Sequence, residues 1–329
     1  MKFVDIALSL NRTLQVPLLV VIESILRNTQ LKRDLRHTPI GSAAVLSPIR
    51  FNLLVPLGDK PFFKEKIQAA FAHEYGPDEV VFRIKEFTPP DFLKQYLDNK
   101  FQEKSLHRRQ SRYMQYARFF LKACFADVSR VIYLDGDTLV LGDIRELFAQ
   151  GDTLNSACYL AAVPQLFPAV FYFSNPFKMW SELRQFKNTF NSGVLLTDLS
   201  YWTQQTYRSL EHYLALDAGH RYRLYHLGDE TVFNLIFKRT YRPLSSVWNT
   251  CGYGQIHLVS RLLTLRRRVE EIKIIHWSGG HHKPWQSDKV IYSALWRSYL
   301  PPASKAAISR PQTKVTLQSS RPISIIDRV

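Results

Sequence analysis

Arg130-Val131-Ile132-Tyr133-Leu134-Asp135-Gly136-Asp137 is the stretch from which the fold is read. Val131 to Leu134 run without a polar break and are rich in β-branched and aromatic residues, the pattern of a strand buried on both faces. The carboxylate-glycine-carboxylate that follows closes the strand. In extended chain Asp135 and Asp137 share a face. Such paired hard oxygens suit Mg²⁺ or Mn²⁺, which in turn bridges phosphate oxygens. Gly136 leaves space for a ligand to approach the backbone. Asp and Gly are also ordinary turn formers, so the motif by itself leaves a metal site and a surface turn both open.

Working outward, short apolar runs alternate with helical patterns. Strands are expected at Phe3–Leu8, Arg50–Leu57 and Val80–Phe87, and helices at Val16–Leu26, Phe62–His73 and Tyr113–Phe125. Further strands are expected at Ala157–Val163, Gly193–Thr197 and Ile272–Ile275. The alternation predicts an α/β fold with a mostly parallel central sheet flanked by helices. In such sheets ligands sit beyond the carboxyl ends of the strands, where Asp135-Gly136-Asp137 falls.

The chain has 329 residues, enough for one large α/β domain. Apolar residues make up 46% and aromatics 13%, which excludes disorder throughout. Its three cysteines, Cys124, Cys158 and Cys251, are widely spaced, which excludes a disulfide framework and a zinc ribbon and favours a reducing compartment. With 44 Lys+Arg against 28 Asp+Glu the net charge is +16, which calls for an anionic partner: nucleic acid, an acidic membrane surface or a phosphate-bearing substrate. The run Val16–Ile22 is far shorter than the roughly 20 apolar residues needed to span a bilayer. Asp5 and the lack of a small-x-small cleavage site argue against a signal peptide. A cytoplasmic location, with peripheral attachment to the inner face of a membrane, is the expectation. From Pro301 onward the chain holds four prolines, five basic residues, one acid and no aromatic, so the folded unit is read as 1–300 and 301–329 as a basic, disordered tail.

A second chemistry-bearing segment is His276-Trp277-Ser278-Gly279-Gly280-His281-His282-Lys283-Pro284-Trp285. A histidine can complete a metal site, and glycine-rich backbone with a lysine can hold a phosphate. A solvated polar loop has the same composition. No cysteine partners with zinc spacing accompany these histidines.

Together these segments resemble glycosyltransferase family 8, retaining and metal-dependent enzymes of the GT-A (nucleotide-diphospho-sugar transferase) fold. Tyr133–Phe148 (YLDGDTLVLGDIRELF) resembles the family signature, and Ser111–Phe119 (SRYMQYARF) its helix with an arginine facing the diphosphate. Phe190–Leu199 (FNSGVLLTDL) with Trp202, Leu227–Phe237 (LGDETVFNLIF) and Trp248-Asn249 follow in the family's order. The resemblance covers about residues 3–285. It implies that Asp135, Asp137 and His276 hold Mn²⁺ (or Mg²⁺), that Lys283 contacts the diphosphate, and that Arg118, Asn191 and Asp229 position the sugar and phosphates of a UDP-sugar. Its implied reaction moves a hexose (glucose or galactose) or xylose to a hydroxyl of a glycan or lipid-linked acceptor.

Three departures from the family pattern stand out. The first loop, usually Asp-x-Asn-Tyr, falls on Asn11-Arg12-Thr13-Leu14, leaving Asn11 to hydrogen-bond the nucleoside. The late motif carries one extra residue, so Gly279 or Gly280 answers to the family glycine and His281 enters as an alternative participant. Glu230 stands where Gln is usual, and a carboxylate there is able in principle to attack an anomeric carbon; an acid in a first helical turn is also favoured by the helix dipole. Basic clusters at Arg27–Arg36, Lys104–Arg112 and Arg261–Arg268 suit either a solvated face or an anionic membrane. The aromatic stretch Phe167–Phe186 suits an acceptor wall or core packing. Two rival readings are a catalytically inactive sugar-nucleotide-binding member and a basic nucleic-acid-binding protein. The second lacks any RNP, KH, zinc-finger or basic-helix motif, so nucleic acid is not an expected partner.

Overall fold

The structure, a computed structural model, describes residues 3–29, 47–71, 74–76, 78–165, 168–255, 268–280 and 282–302. Residues 30–36 and 261–267 of two basic clusters, His281 and the tail beyond 302 lie outside them. The described strands are β1 (Val4–Ser9), β2 (Ile49–Pro56), β3 (Val80–Phe87), β4 (Arg130–Leu134), β5 (Thr138–Val140), β6 (Leu160–Gln165), β7 (Thr189–Asp198), β8 (Tyr241–Pro243) and β9 (Ile274–His276). Seven of them form one sheet in the order β3-β2-β1-β4-β7-β6-β8, and β5 pairs with β9 in a separate ribbon. Pairing is parallel from β3 through β4 and between β6 and β8, while β7 runs antiparallel to both its neighbours.

The continuous apolar runs have their physical reason in two cores. Val4, Ile6 and Leu8 of β1 and Ile132 and Leu134 of β4 enter one core, while Ala7, Val131 and Tyr133 enter the other. Neither face of these strands meets water, and the polar residues of β1, Asp5 and Ser9, are buried against Arg50, Asn52 and Tyr133. A third cluster, including Leu139, Tyr253, Ile275, Trp277 and Trp296, packs under the ribbon.

One helix differs from expectation. The α-helix begins at Leu106 and ends at Tyr116; the chain then tightens into a 3₁₀ turn, Ala117–Phe120, before one more helical turn, Leu121–Cys124. The tightened turn carries the buried Arg118, whose guanidinium is committed to partners on other elements. The Lys104–Arg112 cluster lies on the preceding helix and its approach, with Arg109 near Asp98 and Arg112 near Glu103 at the edge of ion-pair distance. Among the described residues, no helix is long and apolar enough to cross a membrane.

The reversal of β7 positions the site. Leu134 at the end of β4 pairs with Val194, so the beginning of β7 meets the carboxyl ends of β1 and β4. Asn191, Ser192 and Gly193 therefore lie beside Asp135, whose N–H donates to the Gly193 carbonyl at 2.8 Å.

Candidate active site

Asp135 and Asp137 leave β4 side by side, and the ribbon brings in His276. Thr138 pairs with His276, and the Trp277 N–H donates to the Asp137 carbonyl at 3.0 Å. One ligand atom each from Asp135, Asp137 and His276 fall within 4.8 Å of one another. His276 Nε2 is 3.2 Å from Asp137 Oδ1 and 3.9 Å from Asp135 Oδ2. Two carboxylates and one imidazole nitrogen on a rigid frame fit a hard divalent cation such as Mn²⁺ or Mg²⁺. Gly193 is what lets the three approach. A Cβ there would collide with the His276 ring and stand 2.8 Å from Asp135 Oδ2.

Two cations flank the group. Arg118 is 2.8 Å from Asp135 Oδ1 and 3.3 Å from Asp229 Oδ2, and its Nη1 donates to the Ser192 carbonyl at 2.7 Å. Burial works against its charge, yet Asp135, Tyr133, Asp229 and Glu230 raise its pKa. Lys283 Nζ donates to Asp137 Oδ2 and to the Trp277 carbonyl, each at 2.6 Å. Burial alone would lift the Asp137 carboxyl, but His276 and Lys283 outweigh it and hold it well below the usual carboxylate range. A cavity of about 270 Å³ opens over this floor, walled by Asn11, Ser111, Arg118, Asp137, Lys283 and Trp285 among others.

The far side is built by the helix Asp229–Phe237. Asn234 locks it to β7: its Oδ1 accepts from the Phe190 N–H at 2.9 Å and its Nδ2 donates to the Phe190 carbonyl at 2.8 Å. The clamp sets the first turn against Asn191. Glu230 there accepts from Tyr172 OH at 2.9 Å, Asn191 Nδ2 at 2.8 Å and the Ser192 N–H at 3.2 Å. Burial pushes Glu230 up to about 7, against the pull of the Tyr172 and Ser192 hydrogen bonds. Burial also pushes Asp229 up to about 6, with Arg118 opposing and Asp135 reinforcing the shift.

Asp135, Asp137, His276, Arg118, Lys283, Asn191, Asp229 and Glu230 thus form one connected group. Asn11 lines the cavity with its amide engaged at both ends: Oδ1 accepts from the Thr13 N–H at 2.9 Å and Nδ2 donates to Ser111 Oγ at 2.8 Å. Gly279, at φ +110°, packs on Gly254 and Gln255, whereas a Cβ at Gly280 would meet nothing within 4 Å. The positive φ marks Gly279 as the position where glycine is required. Gly193, Tyr172 and Asn249 carry no individual role in the sequence reading, although all three lie in segments it singles out.

Two aspartates and a histidine able to hold a divalent cation, at the carboxyl end of a largely parallel sheet and facing a cleft lined by cations, fit the glycosyltransferases of the GT-A fold. Residues 5–289 match the model of glycosyl transferase family 8, and the chain belongs to that family. It is 32% identical over 183 residues to probable galacturonosyltransferase-like 10 of Arabidopsis thaliana, covering 52% of this chain and 48% of that one. The chain spans about half the length of the curated relatives it matches. Among solved structures, the bifunctional glycosyltransferase WbbM in its apo form superposes with a TM-score of 0.64 at 18% identity, over 94% of this chain and 52% of that one. The galactosyltransferase LgtC, solved with donor and acceptor sugar analogues, superposes with a TM-score of 0.60 at 18% identity, over 92% of this chain and 99% of that one.

Proposed function

We propose that the chain is a retaining glycosyltransferase that moves a hexose from a UDP-sugar to a hydroxyl of a glycan or lipid-linked acceptor. The observation that carries this reading is the meeting of Asp135, Asp137 and His276 beside Arg118 and Lys283 at the floor of one cleft. Asp135, Asp137 and His276 would hold Mn²⁺ (or Mg²⁺). Such an ion, when bound, stabilises the charge that grows on a departing diphosphate. Arg118 and Lys283 add positive charge to the same cleft, and the loop Gly279-Gly280 lets backbone approach the phosphates. Asn191 and Asp229 orient the transferred sugar, and Asn11 faces the nucleoside.

Retention admits two routes. In the first, the acceptor hydroxyl attacks the anomeric carbon on the face that UDP leaves, with the leaving phosphate taking its proton. In the second, Glu230 attacks first and a sugar ester is then transferred. We favour the first, with Glu230 on the acceptor side, because all three of its hydrogen-bond partners are donors that hold the carboxylate in place.

A cytoplasmic site of action at the inner face of an anionic membrane fits the net charge of +16 and the exposed Phe177 and Trp180 beside exposed Lys178, Arg184 and Lys187.

The test is a panel of nucleotide sugars, with and without Mn²⁺. It should include UDP-glucose, UDP-galactose, UDP-xylose and UDP-galacturonic acid, the last for the sugar in the Arabidopsis relatives' names. Metal-dependent release of UDP from one of them is the expected result. No turnover and no metal-dependent nucleotide binding anywhere in the panel would overturn the proposal.

A further inference from the structure

A run of buried amides joins the metal group to Glu230, and its direction is set by one backbone group. The Gly193 N–H lies 3.0 Å from Asn191 Oδ1, and a backbone N–H can only donate. Asn191 therefore turns its oxygen to Gly193 and its Nδ2 to Glu230 Oε2, at 2.8 Å. That oxygen lies 2.9 Å from the side-chain amide of Asn249, which must then present its Nδ2. The Asn249 oxygen is left facing His276 Nδ1 at 3.0 Å, so a proton sits on Nδ1, and Nε2 is the nitrogen turned toward Asp135 and Asp137. Every amide in the run is buried, Asn249 to 2% exposure and Asn191 to 7%, so water does not compete for these bonds.

Local structure holds Asn249 there. Asn249 follows the 3₁₀ turn Ser246–Trp248, and the chain then runs beside β9: the Thr250 N–H donates to the Ile274 carbonyl and the His276 N–H to the Thr250 carbonyl, each at 3.0 Å.

We infer that Asn249 is a positioning residue with two separable tasks: it fixes the His276 ring as a metal ligand and, through Asn191, seats the Glu230 carboxylate. The inference rests on the metal assignment proposed above. A ligand histidine whose second nitrogen donates to a fixed acceptor is held in one tautomer and one orientation. The same residue donates on its other side, and a single substitution splits the two roles. Asn249→Asp keeps an acceptor for His276 Nδ1–H but offers no donor to Asn191 Oδ1. If Asn191 flips to answer it, its oxygen turns toward the Glu230 carboxylate. Either way the link to Glu230 breaks while the link to His276 survives. Asn249→Ala removes both.

The first measurement needs no variant and no metal: ¹⁵N imidazole shifts of His276 in the full chain near pH 8. A ring with a proton on Nδ1 is expected, and a ring protonated on Nε2 alone overturns the inference. The second is Mn²⁺ affinity, read by electron paramagnetic resonance without nucleotide. Asn249→Ala should lose about 10- to 100-fold, whereas Asn249→Asp should stay within about threefold of wild type by keeping the acceptor. Wild-type affinity in Asn249→Ala sinks the first task. Wild-type turnover in Asn249→Asp, with the donor sugar found in the panel, sinks the second. Tautomer and metal affinity are both read without any sugar, so they stand or fall independently of the nucleotide-sugar panel.

Discussion

The site contains two pairs of neighbouring acids, and they are treated in opposite ways. Asp135 and Asp137 at the end of β4 are surrounded by Arg118, Lys283 and His276, and Asp137 is held ionised far below neutrality. Asp229 and Glu230, in the first turn of a helix, share only the far side of Arg118 and otherwise meet neutral donors; burial lifts them to about 6 and about 7. The side-chain chemistry is nearly the same in both pairs, so environment alone divides the roles. Asp137 stays charged, as a cation site requires, while Asp229 and Glu230 change charge near neutral pH.

The largest effect expected is from Asp137→Asn, which removes a carboxylate from the candidate cation site and should lower metal-dependent turnover by about 100-fold or more. Measured UDP release unchanged from wild type would break the comparison at its first half. Gly193→Ala should come next. The added methyl displaces the His276 ring, so Mn²⁺ affinity should fall about 10- to 100-fold, as when the support of a metal ligand is lost. Titration with Mn²⁺ alone checks it.

Glu230→Gln sharpens the second half. Gln preserves the local pattern, its oxygen accepting from Asn191 and Ser192 and its amide donating to Tyr172 OH. With front-face attack, turnover should fall no more than about tenfold; a loss of several orders in the variant, together with a sugar adduct trappable on Glu230 of the wild-type enzyme, would establish the covalent route. In wild type the rate should fall as pH drops through about 7, where Glu230 takes up a proton, and this limb should be absent from the variant's pH profile. The stability sign runs the other way. The folded state favours the protonated acid, so that contribution is lost as pH rises through about 7. Glu230→Gln should therefore melt higher than wild type near pH 8, with the gain disappearing near pH 4. The smallest effect is at Asn11, whose oxygen caps the turn Arg12–Leu14. Asn11→Ala should cost about 1 kcal/mol of stability, read by denaturant unfolding, with Mn²⁺ affinity unchanged.

Most strands and the acid-glycine-acid turn were legible because both are local, whereas the three-residue strands β5 and β8 carry too short a pattern to be read. A strand buried on two faces advertises itself as an unbroken apolar run, and a turn bearing ligands keeps its residues adjacent. Asn249 and Tyr172 were not legible, since their meaning lies in partners reached across the chain: His276 and Asn191 for one, Glu230 for the other. Gly193 shows the same limit. Its need for a missing Cβ comes from a histidine delivered by another strand. Arg118 was assigned from family likeness, but the 3₁₀ tightening around it follows from ion pairs no helical periodicity encodes.

His276, the third member of the candidate metal group, arrives on the ribbon of β5 and β9, where three residue pairs hold Thr138–Val140 against Ile274–His276 outside the seven-stranded sheet. Both strands are short but fully buried, and backbone bonds outside the pairing brace them: Leu141 to Lys273, Thr250 to Ile274 and Trp277 to Asp137. Because the histidine and the two aspartates belong to different elements, an ion held among them would tie ribbon to sheet and add its binding free energy to the stability of both.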